Sequence, residues 1–223
     1  MATLEDSAAP LENGYTIDSS GALLIAVRTD LPNCTPRMLD WWFGWHSDDP
    51  RRYKLWHPRA HVHASWAAPP APDSVGRARY VGSTSIVDEY LGATLGRFRI
   101  RFIDPSELGL AATELRDDLR ATAVCARVGA ADLPLEAGWL VHHVRAVPGG
   151  AEMRSRFWIG GPYAALRSAS GEHQSTLARA AVSLASRALR PTVDDGRDLL
   201  IHCAEEMSHL ATFLPDAYGQ FSK

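Results

Sequence analysis

The chain has 223 residues, 46% of them hydrophobic and 22% charged, which suits one globular domain with a substantial core. Its formal net charge of −3, without any long basic run, excludes a protein drawn to nucleic acid or to an anionic membrane by charge. The three cysteines are far apart and no apolar run is long enough to cross a bilayer, so we expect a cytoplasmic protein without disulfides.

The first part of the chain predicts an arm, a strand and a helix. Residues 1–20 are polar and contain Gly, Ser and Pro, which indicates a flexible arm before a single domain over residues 21–223. The apolar run ALLIAVRT, residues 22–29, has the length of a strand. Thr35 followed by Pro36 is typical of the start of a helix.

The middle of the chain is rich in strands. After a Pro- and Ala-rich loop at residues 66–78, the segment 97–104 alternates apolar residues with arginines, as in a strand with one buried face. Further strands are predicted at residues 122–128, 139–147 and 151–159, and the PGG turn between the last two makes them an antiparallel hairpin.

The C-terminal part predicts two helices. One covers residues 173–189 and ends before Pro191, and the other covers residues 192–214 with Thr192 as its N-cap. Strands followed by terminal helices indicate an α+β fold. We expect a curved antiparallel sheet around a long C-terminal helix, with a ligand cavity between sheet and helix.

The last helix contains a candidate metal motif, HCAEEMSHL. Residues four apart share a helix face, so His202 lies beside Glu206, and Glu205 beside His209. Such pairs occur on ordinary solvated helices, and they also bind metals where a helix faces a cavity. The motif alone leaves both interpretations open.

A second candidate region is aromatic. Residues 41–66 contain five of the seven tryptophans and four of the nine histidines. An aromatic core segment would explain the tryptophans. His57, His61 and His63 are candidate metal ligands by type, and the last two share a face if this segment is extended.

Two pairs of adjacent polar residues lie in predicted strands. Asp88 and Glu89 must point to opposite faces, so one of them faces the core and needs a cation, either an arginine or a metal. His142 and His143 also face opposite ways, so one of them should enter the cavity.

Five motifs together resemble the diacetylphloroglucinol hydrolase family, a group that includes phloretin hydrolase. In order they are WWFGWH, RYKLWHPRAHV, STSIVDEY, EMRSRFWIG and the His-x3-Glu pair of HCAEE, and the resemblance covers roughly residues 35–212. It implies a helix-grip fold, like that of the birch-pollen allergen and START-like lipid-transfer domains. It also implies a zinc-dependent hydrolase that cleaves the C–C bond between an acyl group and a polyhydroxylated ring.

The resemblance further implies the zinc ligands. The family binds Zn²⁺ through two histidines and two glutamates, which correspond here to His61, Glu89, His202 and Glu206. His61 is preferred to His57 because it follows Tyr53 by eight residues, which is the family's spacing.

Catalytic and substrate-binding positions carry over in the same way. His143 corresponds to a histidine near the ring hydroxyls, which would act as proton donor or relay, and Tyr53 to a tyrosine near the zinc that also contacts substrate. A second substrate-binding tyrosine falls at Phe157 and Trp158, and a polar amide falls at Ala64. These departures leave the exact ring pattern of the substrate open.

Two rival functions are compatible with the same sequence. One is a helix-grip module that binds a polyphenol or lipid without catalysis, and the other is a zinc amidase or esterase. The expected partner is a small aromatic ketone substrate, with neither nucleic acid nor membrane. A homodimer is left open, because the chain lacks most of the family's N-terminal helical extension.

Overall fold

The computed structural model describes residues 12–111, 113, 115, 117–167 and 190–222. The α-helices within these residues are α1 (Pro36–Trp45), α2 (Pro50–Trp56) and α3 (Val193–Phe221). The strands are β1 (Gly14–Ile17), β2 (Leu23–Pro32), β3 (His61–Ala68), β4 (Thr84–Leu91), β5 (Thr94–Ile103), β6 (Ala121–Ala130), β7 (Leu135–Glu136), β8 (Gly138–Val147), β9 (Gly150–Ile159) and β10 (Ala165–Leu166). No helix among the described residues is both long and apolar enough to span a membrane.

Most predicted elements are confirmed. The five predicted strands correspond to β2, β5, β6, β8 and β9, and the two helix starts correspond to α1 and α3. The predicted flexible arm is too long, because Gly14–Ile17 pairs with β2 as an edge strand. The predicted helix at residues 173–189 lies outside the described residues.

Local capping explains where the helices begin. The Thr35 hydroxyl accepts a hydrogen bond from the backbone of Met38 at the start of α1. Asp49 caps α2 by accepting from the backbone of Arg51 at 2.8 Å. Thr192 and Asp195 form a reciprocal capping box at the start of α3. Each cap typically contributes about 1 kcal/mol to the stability of its helix.

Eight strands form one antiparallel sheet in the order β1-β2-β9-β8-β6-β5-β4-β3, while β7 and β10 form a separate two-stranded sheet. Within the large sheet, β4 with β5 and β8 with β9 are hairpins of sequential strands. The antiparallel pairing confirms the predicted α+β class.

The large sheet wraps around α3. His202 bonds to the carbonyl of Tyr90 on β4, whereas its neighbour Cys203 contacts Ser155 on β9. In sheet order β9 lies four strand spacings from β4, which is about 19 Å in a flat sheet. A helix with its side chains is only about 10–12 Å across, so the sheet must curve to touch both sides of α3. This is the predicted helix-grip fold.

The sheet has two buried faces. The inner face, which packs against α1 and α3, contributes Leu140, Val144 and Met153 to a core shared with Leu210 of α3. The outer face carries a smaller cluster that contains Cys125 and Val141, covered by Leu108 and Leu115 from the segment between β5 and β6. Side chains alternate between these faces along every strand.

Candidate metal centre

Four side chains from three elements converge beneath α3. His61 is the first residue of β3, and Glu89 lies near the end of the neighbouring strand β4. His202 and Glu206 lie one turn apart on α3. We call these four residues the inner donor cluster.

The two histidine nitrogens of the inner donor cluster lie close to each other and to both carboxylates. The Nε2 atoms of His61 and His202 are 3.4 Å apart. Glu206 Oε2 lies 3.4 Å from His61 Nε2 and 3.8 Å from His202 Nε2. Glu89 Oε2 lies 3.7 Å from His61 Nε2 and 3.9 Å from His202 Nε2. Ligands about 2.1 Å from a tetrahedral ion are about 3.4 Å from each other. His61, Glu89 and His202 place their ligand atoms within 4.8 Å of one another and could hold a metal ion, with Glu206 beside both histidines.

Backbone carbonyls orient both imidazoles. His61 Nδ1 lies 3.0 Å from the carbonyl oxygen of Tyr53, and His202 Nδ1 lies 3.1 Å from that of Tyr90. A carbonyl only accepts, so each Nδ1 carries the proton and each Nε2 presents its lone pair to the cluster. Metal-binding histidines are commonly held by such a second hydrogen bond.

Tyr53 supports the cluster from α2. Its ring stacks on His61 with centroids 3.8 Å apart and planes 1° apart. Its hydroxyl donates a short hydrogen bond to Glu89. Burial, followed by the charge of Glu89, raises the pKa of Tyr53 well above its ordinary value, so the phenol keeps its proton and remains a donor. Tyr53 therefore orients one histidine and one carboxylate at once.

The two acids of the inner donor cluster have no basic side chain beside them. Among the described residues, no arginine or lysine lies within ion-pair distance of Glu89 or Glu206. Burial raises the pKa of Glu206 to about 8, with a further rise from Glu89 and an opposing effect of His202. Burial also lowers the pKa of His61 to about 4, which keeps this imidazole neutral. Neutral imidazoles and unpaired carboxylates are the donors of a divalent metal site.

Three other candidate histidines lie outside the cluster. His57 turns its Nε2 toward Glu205 at 3.4 Å, although its ring is only 5.5 Å from that of His61. His63 is exposed on β3. His209 bonds to the carbonyl of Trp56 at 2.8 Å, so the second helix pair does not join the site.

The sequence profile of the DAPG hydrolase PhiG domain matches residues 1–219 of this chain. The chain belongs to the DAPG hydrolase family. The 2,4-diacetylphloroglucinol hydrolases of Pseudomonas sp and Pseudomonas protegens are each 31% identical to it over 214 residues, which is 94% of this chain and 71% and 68% of theirs. Phloretin hydrolase of Eubacterium ramulus is 28% identical over 213 residues, which is 93% of this chain and 71% of that enzyme.

Among solved structures, Ara h 8.0201 is similar with a TM-score of 0.37 and 10% identity, over 80% of this chain and 98% of its own. The fold of this DAPG hydrolase family member follows instead from the strand order and the wrapping of the sheet around α3.

The inward histidine of β8 is His142. It lies between Leu140 and Val144 on the inner face, with its ring 5.8 Å from that of Phe43 and 6.0 Å from that of Phe157. His143 has the opposite orientation and pairs across the ladder with Arg154 on the outer face. We therefore correct the assignment of the histidine that faces α3 from His143 to His142.

Two residues of this inner region were not predicted. Ser155 Oγ lies 2.7 Å from His142 Nδ1, and the same hydroxyl contacts the thiol of Cys203. Cys203 adjoins His202, so Ser155 connects His142 to the helix that holds the donor cluster. The available signal was a small polar residue between Met153 and Phe157 on an otherwise apolar strand face.

The predicted aromatic contacts divide between the two faces. Phe157 lies on the inner face beside His142. Trp158, expected to bind substrate, packs instead with the outer cluster, on the face of the sheet opposite to His142. Trp42 is fully buried, and its indole N–H has no acceptor among the described residues.

Proposed function

We propose that this protein is a zinc-dependent hydrolase that cleaves the C–C bond between an acyl group and a polyhydroxylated ring, as in acylphloroglucinols. The observation that carries the proposal is the inner donor cluster, in which His61, His202 and Glu206 are buried, Glu89 is part-buried, and no described residue supplies a basic partner. Membership of the DAPG hydrolase family and the names of the relatives support the substrate class. The free, buried cysteines support a cytoplasmic location within the same proposal.

Zn²⁺ is the metal that we propose, because two imidazoles and two carboxylates suit its tetrahedral preference. When bound, zinc supplies a Lewis acid for the acyl carbonyl and acidifies a coordinated water, the proposed nucleophile. His61 and His202 would hold it through Nε2, and Glu89 and Glu206 through carboxylate oxygens. Tyr53 would keep Glu89 and His61 in position.

The reaction adds the elements of water across the acyl–ring bond. The hydroxyl goes to the acyl carbon and gives a carboxylic acid, while a proton goes to the ring carbon. The ring leaves with the electron pair of the broken bond, so its departure requires either that proton or delocalisation of charge onto the phenolic oxygens. A positioned proton carrier near the ring therefore accelerates this reaction.

We assign this role to His142 in place of His143. Burial lowers the pKa of His142 to about 3, so its imidazole is neutral near pH 7. A neutral imidazole donates through one nitrogen and accepts through the other. With Ser155 on one nitrogen, His142 is suited to relay a proton to a ring hydroxyl or ring carbon, rather than to act as a cationic acid.

The surrounding aromatic residues suit a flat phenolic ligand. Phe157 and Phe43 flank His142, and the unpartnered N–H of Trp42 offers a donor to an oxygen of the substrate. We retain Tyr53 and Phe157 as substrate-contacting residues in the proposal. Trp158 is not retained, because it lies on the outer face.

Metal analysis and product analysis test the proposal together. We expect about one zinc per purified chain and conversion of an acylphloroglucinol to the deacylated phenol and the free acid. A protein that binds the acylphloroglucinol, but binds no metal and does not catalyse the reaction, would be a binding module. Hydrolysis of simple esters or amides without cleavage of acylphenols would support the amidase or esterase alternative. Either result would refute the proposed activity.

A further inference from the structure

The last turn of α2 contacts the turn of α3 that carries Glu206. The last four carbonyl groups of a helix lack an intrahelical donor, and Tyr53 and Trp56 are among the last four residues of α2. Imidazoles supply donors to both of these residues. His61 Nδ1 donates to the Tyr53 carbonyl oxygen at 3.0 Å, and His209 Nδ1 donates to that of Trp56 at 2.8 Å. One of these two imidazoles belongs to the inner donor cluster, and the other lies outside it.

Trp56 makes a second connection in the opposite direction. Its indole Nε1 donates to the backbone carbonyl oxygen of Glu206 at 3.1 Å, and this hydrogen bond is buried. His209 follows Glu206 by three residues and therefore lies on the same face of α3. The side chain of Trp56 thus holds the helical turn that carries a ligand, while its carbonyl group is held by the next turn. Two hydrogen bonds in opposite directions keep α2 and α3 from sliding past each other.

The same short helix holds the other half of the inner donor cluster. The Tyr53 ring stacks on His61, and its hydroxyl donates to Glu89. Tyr53 and Trp56 lie three residues apart on α2, so they share one face of it. A movement of α2 relative to α3 would therefore carry His61 and Glu89 away from Glu206. The distances between the ligands depend on the contact between these two helices.

We propose that His209 and Trp56 are positioning residues of the metal centre, which hold the ligands of α3 at the correct distance from those of β3 and β4. The inference rests on the proposed metal site and extends it to two residues outside the inner donor cluster. His209 gives the cleaner test, because the Trp56 ring also contacts that of His61, with centroids 5.3 Å apart. Loss of a hydrogen bond that orients a metal ligand typically weakens metal binding about 10–100-fold. We expect about tenfold for His209, the lower end of this range, because it acts through Trp56.

Metal binding to the full chain tests this inference. The zinc Kd is measured by competition with a chromophoric chelator, and the visible spectrum of the Co²⁺-loaded protein reports the geometry of coordination. His209→Leu removes the donor, so it should weaken zinc binding about tenfold and alter the Co²⁺ spectrum. His209→Asn should restore both, because its amide nitrogen lies at the same place along the side chain as Nδ1 and can donate to the same carbonyl oxygen.

Two comparisons separate positioning from a loss of stability. Thr212→Val is the matched control, because it removes one hydrogen bond from the same helix, that of the Thr212 hydroxyl to the His209 carbonyl oxygen at 2.7 Å. This variant should bind zinc as the wild type does. All titrations are made well below the unfolding temperature of the metal-free protein. Nearly every chain is then folded, so lower stability alone leaves the Kd unchanged.

The outcomes distinguish this inference from the proposed function. Zinc binding that is unchanged in His209→Leu, equally weakened in Thr212→Val, or not restored in His209→Asn would overturn the positioning role and leave the proposed metal site standing. A wild-type chain that binds neither zinc nor Co²⁺ would overturn both.

Discussion

Glu206 on α3 and Glu152 on β9 are both almost fully buried, with 7% and 6% of their surfaces exposed, but they have opposite partners. Around Glu152, Arg28, Arg145 and Arg154 approach to 2.9, 2.9 and 3.1 Å. Around Glu206 the nearest side chains are two imidazoles, those of His61 and His202, and not guanidinium groups. Residues of one chemical type are thus placed in two different electrostatic environments.

The pKa values show the same contrast. For Glu152, burial alone would raise the pKa, but hydrogen bonding from Arg28 and the charges of its arginines outweigh burial and lower it. For Glu206, burial dominates and the pKa rises to about 8. Removal of a buried acid that already has its cations leaves those cations without a counter-charge and destabilises the fold. A buried acid beside imidazole lone pairs and without a basic partner fits the proposed role of a metal ligand.

The largest expected effect comes from breaking the inner donor cluster. His61→Ala should abolish stoichiometric zinc and reduce turnover to background, because it removes one ligand and the group that Tyr53 stacks on. The matched control is His57→Ala, which removes a nearby buried imidazole that faces Glu205 instead. Metal content per chain and turnover of an acylphloroglucinol are the measurements. Loss of zinc in His57→Ala, with zinc retained in His61→Ala, would reverse the assignment.

The next effect separates the two faces of β8. His142→Phe should keep zinc and lower kcat by roughly 10²–10⁴-fold, as expected for the loss of a positioned proton carrier. His143→Gln, on the outer face, should be much milder. Single-turnover kinetics on zinc-loaded protein would show whether the chemical step has slowed. A large loss of rate in His143→Gln alone would show that His142 does not carry the proton.

A stability comparison sharpens the contrast between the two glutamates. Without metal, Glu152→Gln should destabilise the protein by about 2–3 kcal/mol. This loss is smaller than for a fully buried ion pair, because solvent screens the part-exposed Arg28 and Arg145. Glu206→Gln should change metal-free stability little or increase it, since no basic side chain loses its partner. Added zinc should then stabilise the wild type more than Glu206→Gln. Urea unfolding with and without zinc measures both effects, and equal destabilisation of the two metal-free variants would contradict the contrast.

The smallest effect is a pH dependence from His142. Its folded pKa is about 3, below the ordinary value of 6.5, so folding favours the neutral imidazole. The unfolded chain binds more protons between these values, and stability is complete above pH 6.5 and declines as the pH falls towards 3. At pH 5 this group should account for a loss of about 2 kcal/mol relative to pH 7. Unfolding of His142→Phe should show a shallower acid dependence than the wild type, and identical slopes would exclude this contribution.

Local patterns in the sequence already determined much of the candidate site. The four-residue step on a helix placed His202 beside Glu206, and strand alternation required one of Asp88 and Glu89 to face inward. In the structure the inward residue is Glu89. Its neighbours are His61 and His202, and not the arginine that was the alternative partner. Contacts such as that of Ser155 with Cys203 join distant parts of the chain, and no local pattern predicts them.

The choice between His142 and His143 shows what only the tertiary structure decided. Alternation in the sequence separated the two histidines but did not say which one faces α3. Where one face of a strand is solvated, the side chains on that face are polar, so the apolar side chains identify the inner face. The middle of strand β8 is buried on both faces, because one face packs into the core shared with α3 and the other packs into the cluster that contains Leu108 and Leu115. The curvature of the sheet around α3 therefore decided which histidine lies on the inner face.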